Sequence, residues 1–309
     1  MILTVTLNPA IDRTIIVDNF SMDQVNRIKH IRRDIGGKGL NVTKTINAMG
    51  GTSKALLVLG GENGAFIRDR AKADGLSIMA FEIEGNTREN IKIVDPLNHT
   101  FTDINEPGPV LNEETCKVLA ETIANAISPR DWLVISGSSP QGIDTAFYET
   151  VFSHAEALGV KVIADVSGAQ LEAFIKFKPW LIKPNIHELG ELFGIKIEDS
   201  VSAIQYARQI IERGVSTVVV SMGEKGLLWV DAERAIVANA VKVPVKSTVG
   251  AGDAIVAGLT LGLSRGEAPE TIIREAVAAA TCVITTEGSL TGDLEKMSAY
   301  LKRVVVQKL

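Results

Sequence analysis

The segment from Val245 to Gly258, Val-Lys-Ser-Thr-Val-Gly-Ala-Gly-Asp-Ala-Ile-Val-Ala-Gly, passes from a strand end through a glycine-rich turn into an apolar helix of small residues. Gly250 and Gly252 let backbone N–H groups approach a ligand with no Cβ in the way, and the helix start adds partial positive charge. Together they describe an anion hole. Asp253 then puts a carboxylate beside it, which repels phosphate unless it serves a neighbouring hydroxyl. Kept ionised by the helix dipole, it could accept that hydroxyl's proton in phosphoryl transfer. An N-capping aspartate is the equally weighted alternative.

In Ile35-Gly-Gly-Lys-Gly-Leu-Asn41, glycines around Lys38, Gly37 among them, bring a mobile cation to exposed backbone donors, and Asn41 can donate to and accept from sugar hydroxyls. Alone, the segment reads more simply as a glycine-rich turn with a solvated lysine. Asn8, Pro9 and Asp12 follow the first strand, where Asp12 could grip hydroxyls or cap a turn. Strand alternation in Thr87-Arg-Glu-Asn-Ile-Lys92 puts Arg88, Asn90 and Lys92 on one face. The Arg88 fork there could hold a phosphate or face solvent from an edge.

Ser136-Gly-Ser-Ser-Pro-Gln-Gly142 follows a buried strand and carries Gly137 and Ser138 to a sheet edge, or is an ordinary polar turn. The apolar run from Trp180 ends in Lys183 and Asn185, with Glu188 in the first turn of the next helix. Asn185 and Glu188 could hold phosphate oxygens or the water shell of a magnesium ion, and they also fit a capping box. Ser221-Met-Gly-Glu-Lys-Gly226 is one more strand-end glycine turn. The Walker A, Gly-x-Gly-x-x-Gly and Gly-x-Ser-x-Gly patterns are all absent, and His30, His99, His154 and His187 lack metal-ligand spacing.

Elements able to position these residues are legible as short apolar runs at Ile2–Leu7, Ala55–Leu59, Trp132–Ser136, Lys161–Val166, Trp180–Lys183 and Thr217–Ser221. Most are continuous rather than alternating, as in strands buried on both faces of a parallel sheet. Helical spacing fills Leu111–Ile127, Asp144–Leu158, Val201–Arg213, Asp253–Ser264 and Pro269–Thr286. The alternation predicts an α/β doubly wound, mostly parallel sheet. Asp12–Arg33 and Phe81–Asn105 break it and predict a small inserted β-sheet, a lid over the carboxyl ends of the main strands. The expected organisation is one domain over 1–309, with lid segments near 12–35 and 84–106.

Composition sets the outer limits. The 309 residues are 46% hydrophobic and 22% charged, values of an ordinary folded domain with a sizeable core. A formal charge of −5, no basic block and 5% aromatics argue against nucleic acid as a partner. The two cysteines, Cys116 and Cys282, read as reduced and buried. The amino-terminal run has no basic region before its apolar residues and no apolar stretch is long enough to span a bilayer, so a cytoplasmic chain without membrane partners is expected.

Taken in order, Asn8-Pro-Ala-Ile-Asp12, Gly36-Gly-Lys-Gly39 with Asn41, Thr87-Arg88, Ser136-Gly-Ser138 with Pro140, Lys183-Pro-Asn185 with Glu188, and Val249-Gly-Ala-Gly-Asp253 resemble the PfkB family of ribokinase-like carbohydrate kinases. The match spans essentially the whole chain. Within the family it is most similar to the bacterial 1-phosphofructokinase branch, with the tagatose-6-phosphate kinases close by. The resemblance implies a ribokinase-like fold with a β lid that often forms a homodimer, and transfer from ATP, with Mg2+, to a sugar phosphate. It implies Asp253 as catalytic base, with Gly250, Ala251 and Gly252 as the anion hole. Asp12, Gly37, Lys38 and Asn41 would hold the sugar, Arg88 its phosphate, with Asn90 and Ser138 nearby and Arg27 where sugar-phosphate members often carry a basic residue. Lys183, Asn185 and Glu188 would face the nucleotide phosphates and magnesium, the metal through water. Ser221, Gly223 and Gly226 would line the ATP site. Ser139 departs from the family's Ser-Gly-Ser-Leu-Pro pattern, which bears on local packing and specificity.

Overall fold

The structure, a computed structural model, describes residues 1–286 and 294–309. In chain order its strands are β1 (Ile2–Thr6), β2 (Ala10–Ile16), β3 (His30–Gly36), β4 (Lys54–Gly60), β5 (Ile78–Ile83), β6 (Arg88–Asp95), β7 (Thr100–Asn105), β8 (Trp132–Ser136), β9 (Lys161–Asp165), β10 (Leu181–Ile182), β11 (Thr217–Ser221), β12 (Leu227–Asp231), β13 (Ala235–Ala238) and β14 (Val306–Lys308). The helices that position the site are α1 (Lys38–Ala48), α2 (Gly61–Ala73), α3 (Glu113–Asn125), α4 (Thr145–Ala157), α5 (Ala169–Lys176), α6 (Ile186–Phe193), α7 (Ser200–Glu212), α8 (Ala251–Ser264) and α9 (Pro269–Ile284).

One sheet has the order β14-β13-β12-β11-β10-β9-β8-β1-β4-β5. Every pairing from β5 to β11 is parallel, and β12, β13 and β14 extend the edge antiparallel. Alternate residues feed two cores because both faces are covered. Leu3, Val5, Leu133 and Ile135 pack with α3, α4, α5 and α7, while Ile2, Val134, Ile163 and Val219 pack with α1, α8 and α9. Helix α8 is apolar nearly all round, and its residues from Asp253 to Gly262 are all buried.

The second sheet, ordered β3-β2-β6-β7, joins β2 to β3 antiparallel, β2 to β6 parallel and β6 to β7 antiparallel. The expected doubly wound fold with a small additional sheet is therefore present. Four details differ from the sequence reading, the first being that no strand leads into the Gly250 turn, since β13 ends at Ala238. Phe81–Ile83 belongs to β5, which pairs with β4 in the main sheet, so the small sheet's second segment begins only at Arg88. The strand expected over Trp180–Lys183 is cut to Leu181–Ile182 between Pro179 and Pro184, since proline cannot donate to a ladder. The hairpin edge β12–β13 and the terminal β14 had not been marked at all. Among the described residues no helix is long and apolar enough to cross a membrane.

Candidate active site

Strand β1 lies between β4 and β8, and the chain winds away from it in both directions. Such a reversal opens a crevice at the carboxyl ends of the strands, where ligands bind in open α/β sheets. A cleft of about 410 Å3 occupies this position. Main-sheet strand ends deliver much of its chemistry, Asp165 at the end of β9, Lys183 after β10 and Ser221 at the end of β11, while Asp12 comes from within β2 of the small sheet. Two helix starts complete it, Gly37, Lys38 and Asn41 from α1 and Gly250, Gly252 and Asp253 from α8.

Asp253 is not the N-cap that local spacing allowed. Gly250 takes that place in left-handed conformation at φ 80°, which a glycine adopts without strain. Asp253 sits in the first turn, 6% exposed, and its Oδ2 accepts a 2.8 Å bond from Asn41 Nδ2. Burial first, then the negative charge of Asp165, push its carboxyl up to about 6, against Asn41, Lys38 and Lys183. That value suits a group that must take a proton near neutrality. The Ala251 N–H turns back to the Thr248 carbonyl at 3.3 Å and Ala251 does not line the cleft, whereas Gly250 and Gly252 do.

Asp165 escaped the sequence reading, although the run Lys161–Val166 carries it at the end of a buried strand, the rule that had singled out Lys183. It is 3% exposed and joins two cations, Lys183 Nζ at 3.1 Å from Oδ1 and Lys38 Nζ at 3.5 Å from Oδ2. Ser136 Oγ donates to Oδ2 at 3.0 Å. Burial alone would raise the Asp165 carboxyl, but Lys183 and Lys38 hold it below the usual carboxylate range. Reciprocally, Asp165 raises the Lys38 ammonium above its ordinary value in spite of burial. Lys183 Nζ lies 3.6 Å from where a Cβ on Gly252 would be, so one cation stands beside the glycine turn that opens α8.

Towards the small sheet, Asn90 Nδ2 donates to Asp12 Oδ1 at 3.0 Å, and Asp12 Oδ2 lies 2.0 Å from the place a Cβ on Gly36 would take. Any other residue at Gly36 would displace that carboxylate. Arg88 donates to the carbonyls of Asn8 and Glu106, each at 3.1 Å, and still lines the cleft. The side-chain oxygens of Asn41 and Asn90 are buried with no bond, acceptors that ligand hydroxyls could satisfy. Lys92 instead pairs with Asp103 of β7 at 3.5 Å and does not line the cleft.

Asn185 and Glu188 form the complete capping box of α6 and also line the cleft, so the capping role leaves them within reach of a ligand there. Asn185 Oδ1 accepts from the backbone of His187 and Glu188, and Glu188 Oε2 accepts from the Asn185 N–H. Glu188 Oε1 remains for the water shell of a magnesium ion, which keeps most of its waters. The donor set therefore fits water-mediated binding better than direct ligation.

Five predicted residues stay outside the cleft lining, Ala251 and four others. Ser138 is exposed two residues beyond β8, and Arg27 is exposed in the connection between β2 and β3. Gly223 lies in a short 3-10 turn beyond Ser221. Gly226 meets the backbone of β13: a Cβ there would lie 2.0 Å from the Ala238 carbonyl oxygen, so its glycine is required for packing. The Ser139 departure has a local explanation. Its hydroxyl bonds to the Tyr148 hydroxyl, and Gln170 Nε2 donates to both, at 3.0 and 2.7 Å. Burial pushes the Tyr148 phenol up to about 12, so it stays neutral and remains a donor.

Comparison with known proteins bears on this geometry. The family model described as pfkB family carbohydrate kinase matches residues 5–297. The chain is 36% identical to the 1-phosphofructokinase of Rhodobacter capsulatus, covering 100% of this chain and 98% of the relative. It is 33% identical to the 1-phosphofructokinase of Bacillus subtilis (strain 168), covering 100% of both. The structure of phosphofructokinase-2 from Escherichia coli in complex with substrates and products matches with a TM-score of 0.92 at 29% identity, over 98% of each chain. With a family match over residues 5–297 and two full-length relatives at 36% and 33% identity, the chain belongs to the PfkB family of carbohydrate kinases.

Proposed function

We propose that this phosphotransferase moves the γ-phosphate of ATP to the C6 hydroxyl of fructose 1-phosphate, giving fructose 1,6-bisphosphate and ADP. The observation that carries the reading is the placement of Asp253, bonded by Asn41 in the first turn of α8, in one cleft with Arg88 and Lys183. Its full-length relatives named 1-phosphofructokinase support the choice of sugar. Asp253 takes the hydroxyl proton as the oxygen attacks in line, and the N–H groups at Gly250 and Gly252 face the charge on the transferring group. Lys183 and Lys38, held by Asp165, add positive charge on the same side. Asp12 and Asn41 orient the sugar hydroxyls, Arg88 its phosphate. Magnesium bound with ATP, held through water by Asn185 and Glu188, would offset phosphate charge.

A coupled ADP-release assay on fructose 1-phosphate, tagatose 6-phosphate and fructose 6-phosphate tests the proposal. The highest kcat/KM is expected on fructose 1-phosphate. Preference for tagatose 6-phosphate would reassign the acceptor to a C1 hydroxyl, and no turnover on any of the three would point to a sugar-phosphate sensor. In the same assay Arg88→Ala should raise the sugar-phosphate KM by roughly 10- to 100-fold with a smaller change in kcat, since a charge-assisted bond is worth about 1.5–3 kcal/mol. An equal loss on unphosphorylated fructose would remove Arg88 from phosphate recognition.

We further infer that the small sheet acts as a lid and mediates a homodimer. Its β2, β3, β6 and β7 present Ile15, Ile31, Ile91 and Ile104 on one face by their pairing, and Ile31 and Ile104 are 44% and 53% exposed. The double variant Ile31→Asp, Ile104→Asp should run as a monomer in light scattering where the parent runs as a dimer. An unchanged mass would locate the interface elsewhere. Cys116 and Cys282 are both buried, the placement expected of thiols in a cytoplasmic chain.

A further inference from the structure

Lys44 is turned into the protein rather than out of it. It lies on α1, beyond Lys38 and Asn41, and its Nζ donates to the Ile35 carbonyl at 2.6 Å. Among the described residues it makes no close ion pair, although Asp34, Asp74 and Asp12 all act on it through space and Arg70 opposes them. A lysine on a helix ordinarily extends its ammonium to water, and hiding it costs free energy that one carbonyl bond only partly offsets.

The bonded carbonyl sits at a consequential point. Ile35 pairs with Ile11 and Asp34 with Asp12 across β3 and β2, and β3 ends one residue later at Gly36. The Asp12 carboxylate rests on Gly36, and Gly37 and Lys38 follow directly. Whatever fixes the Ile35 carbonyl therefore fixes the floor beneath Asp12 and the turn that presents Lys38. We propose that Lys44 is a positioning residue of the sugar subsite, its buried ammonium clamping the end of β3 to α1 so that Asp12 and the Gly36–Lys38 turn stand in fixed relation. The ammonium also lends positive charge to the buried Asp12, whose carboxylate faces Arg88 and Asn90 from β6 and Asp34 from β3. Lys44 does not itself line the cleft, so its influence on the sugar passes through these groups.

The proposal rests on Asp12 as a sugar-binding residue, and the test separates the two ideas. Steady-state kinetics on the full chain compare Lys44→Met, Lys44→Gln and Lys44→Arg with the parent and with Asp12→Asn. Lys44→Met, which keeps the stem and loses the donor and charge, should raise the sugar-phosphate KM by roughly tenfold while the ATP KM stays within about twofold. Lys44→Arg should recover most of the loss. Lys44→Gln, which can still donate to Ile35 without charge, should fall between, and it carries the test if Lys44→Met does not fold. A sugar KM unchanged in both Lys44→Met and Lys44→Gln, a parallel rise in both KM values, or no recovery by arginine would overturn the proposal. If Asp12→Asn leaves the sugar KM unchanged, the reading of Asp12 falls and the proposal with it. If Asp12→Asn raises the sugar KM and both neutral Lys44 variants do not, only the role of Lys44 falls.

Discussion

Asp253→Asn is expected to lower kcat by roughly 10²- to 10⁴-fold, the span of general-base catalysis, with both KM values near those of the parent. The amide keeps the shape and can still accept from Asn41, so binding survives while proton acceptance is lost. The pH profile supplies a second readout. With the Asp253 carboxyl at about 6, kcat/KM of the parent should rise with pH through that value and level above it. The limb should be missing in Asp253→Asn. Turnover within tenfold of the parent, or a retained limb, would take Asp253 out of the proton transfer.

Stability should move the other way. The folded chain binds the Asp253 proton more tightly than the unfolded chain does, about 6 against 3.8, so native stability falls as pH rises through that window and the deficit persists above it. Removing the charge should recover on the order of 3 kcal/mol near pH 8. Asp253→Asn should thus melt above the parent at pH 8 and close to it at pH 4. An active-site residue that costs stability for function is the usual trade.

Asp165→Asn carries the other large effect. The substitution is isosteric, but it leaves Lys183 and Lys38 without their shared countercharge in a site where Lys183 and Asp165 are 6% and 4% exposed at their side chains. Breaking such a buried pair from one side costs about 3–5 kcal/mol, and kcat should drop by at least roughly 100-fold as the two ammonium groups lose their fixed positions. The shift of the acid limb distinguishes this from simple unfolding. Asp165 is, after burial, the largest influence raising the Asp253 carboxyl, so the limb in Asp165→Asn should lie below 6. Activity within tenfold of the parent with the limb unmoved would make Asp165 a structural residue only.

The order of glycine turns and charged residues was enough to read the family, and the turns after Ser136, Ile182 and Ser221 stand where a buried apolar run, visible in the sequence, stops. Asp253 could not be assigned from its neighbourhood alone. A cap and a base look alike there, and the choice turned on Gly250 adopting the left-handed N-cap and on Asn41, distant in sequence, reaching across to bond the carboxylate. Asp165 was overlooked for a different reason. A single carboxylate at a strand end carries no motif, and its importance comes from two lysines delivered by other strands and helices. The lid boundaries slipped at Phe81 because an edge strand of the main sheet and a strand of the small sheet have the same alternation, and only pairing partners separate them.

By itself, then, the sequence determined the strand-and-helix alternation, the glycines at the turns and the identity of most groups that reach the cleft. Those are local properties, set by periodicity and by backbone angles that few residue types tolerate. The tertiary structure alone decided which charges meet. Asp165 became the hub of two lysines, Asp253 acquired its raised carboxyl, and Lys44 was turned onto the end of β3. Burial and pairing depend on atoms distant along the chain, and electrostatic energy depends on distance and on exclusion of water, so neither can be read from one segment at a time.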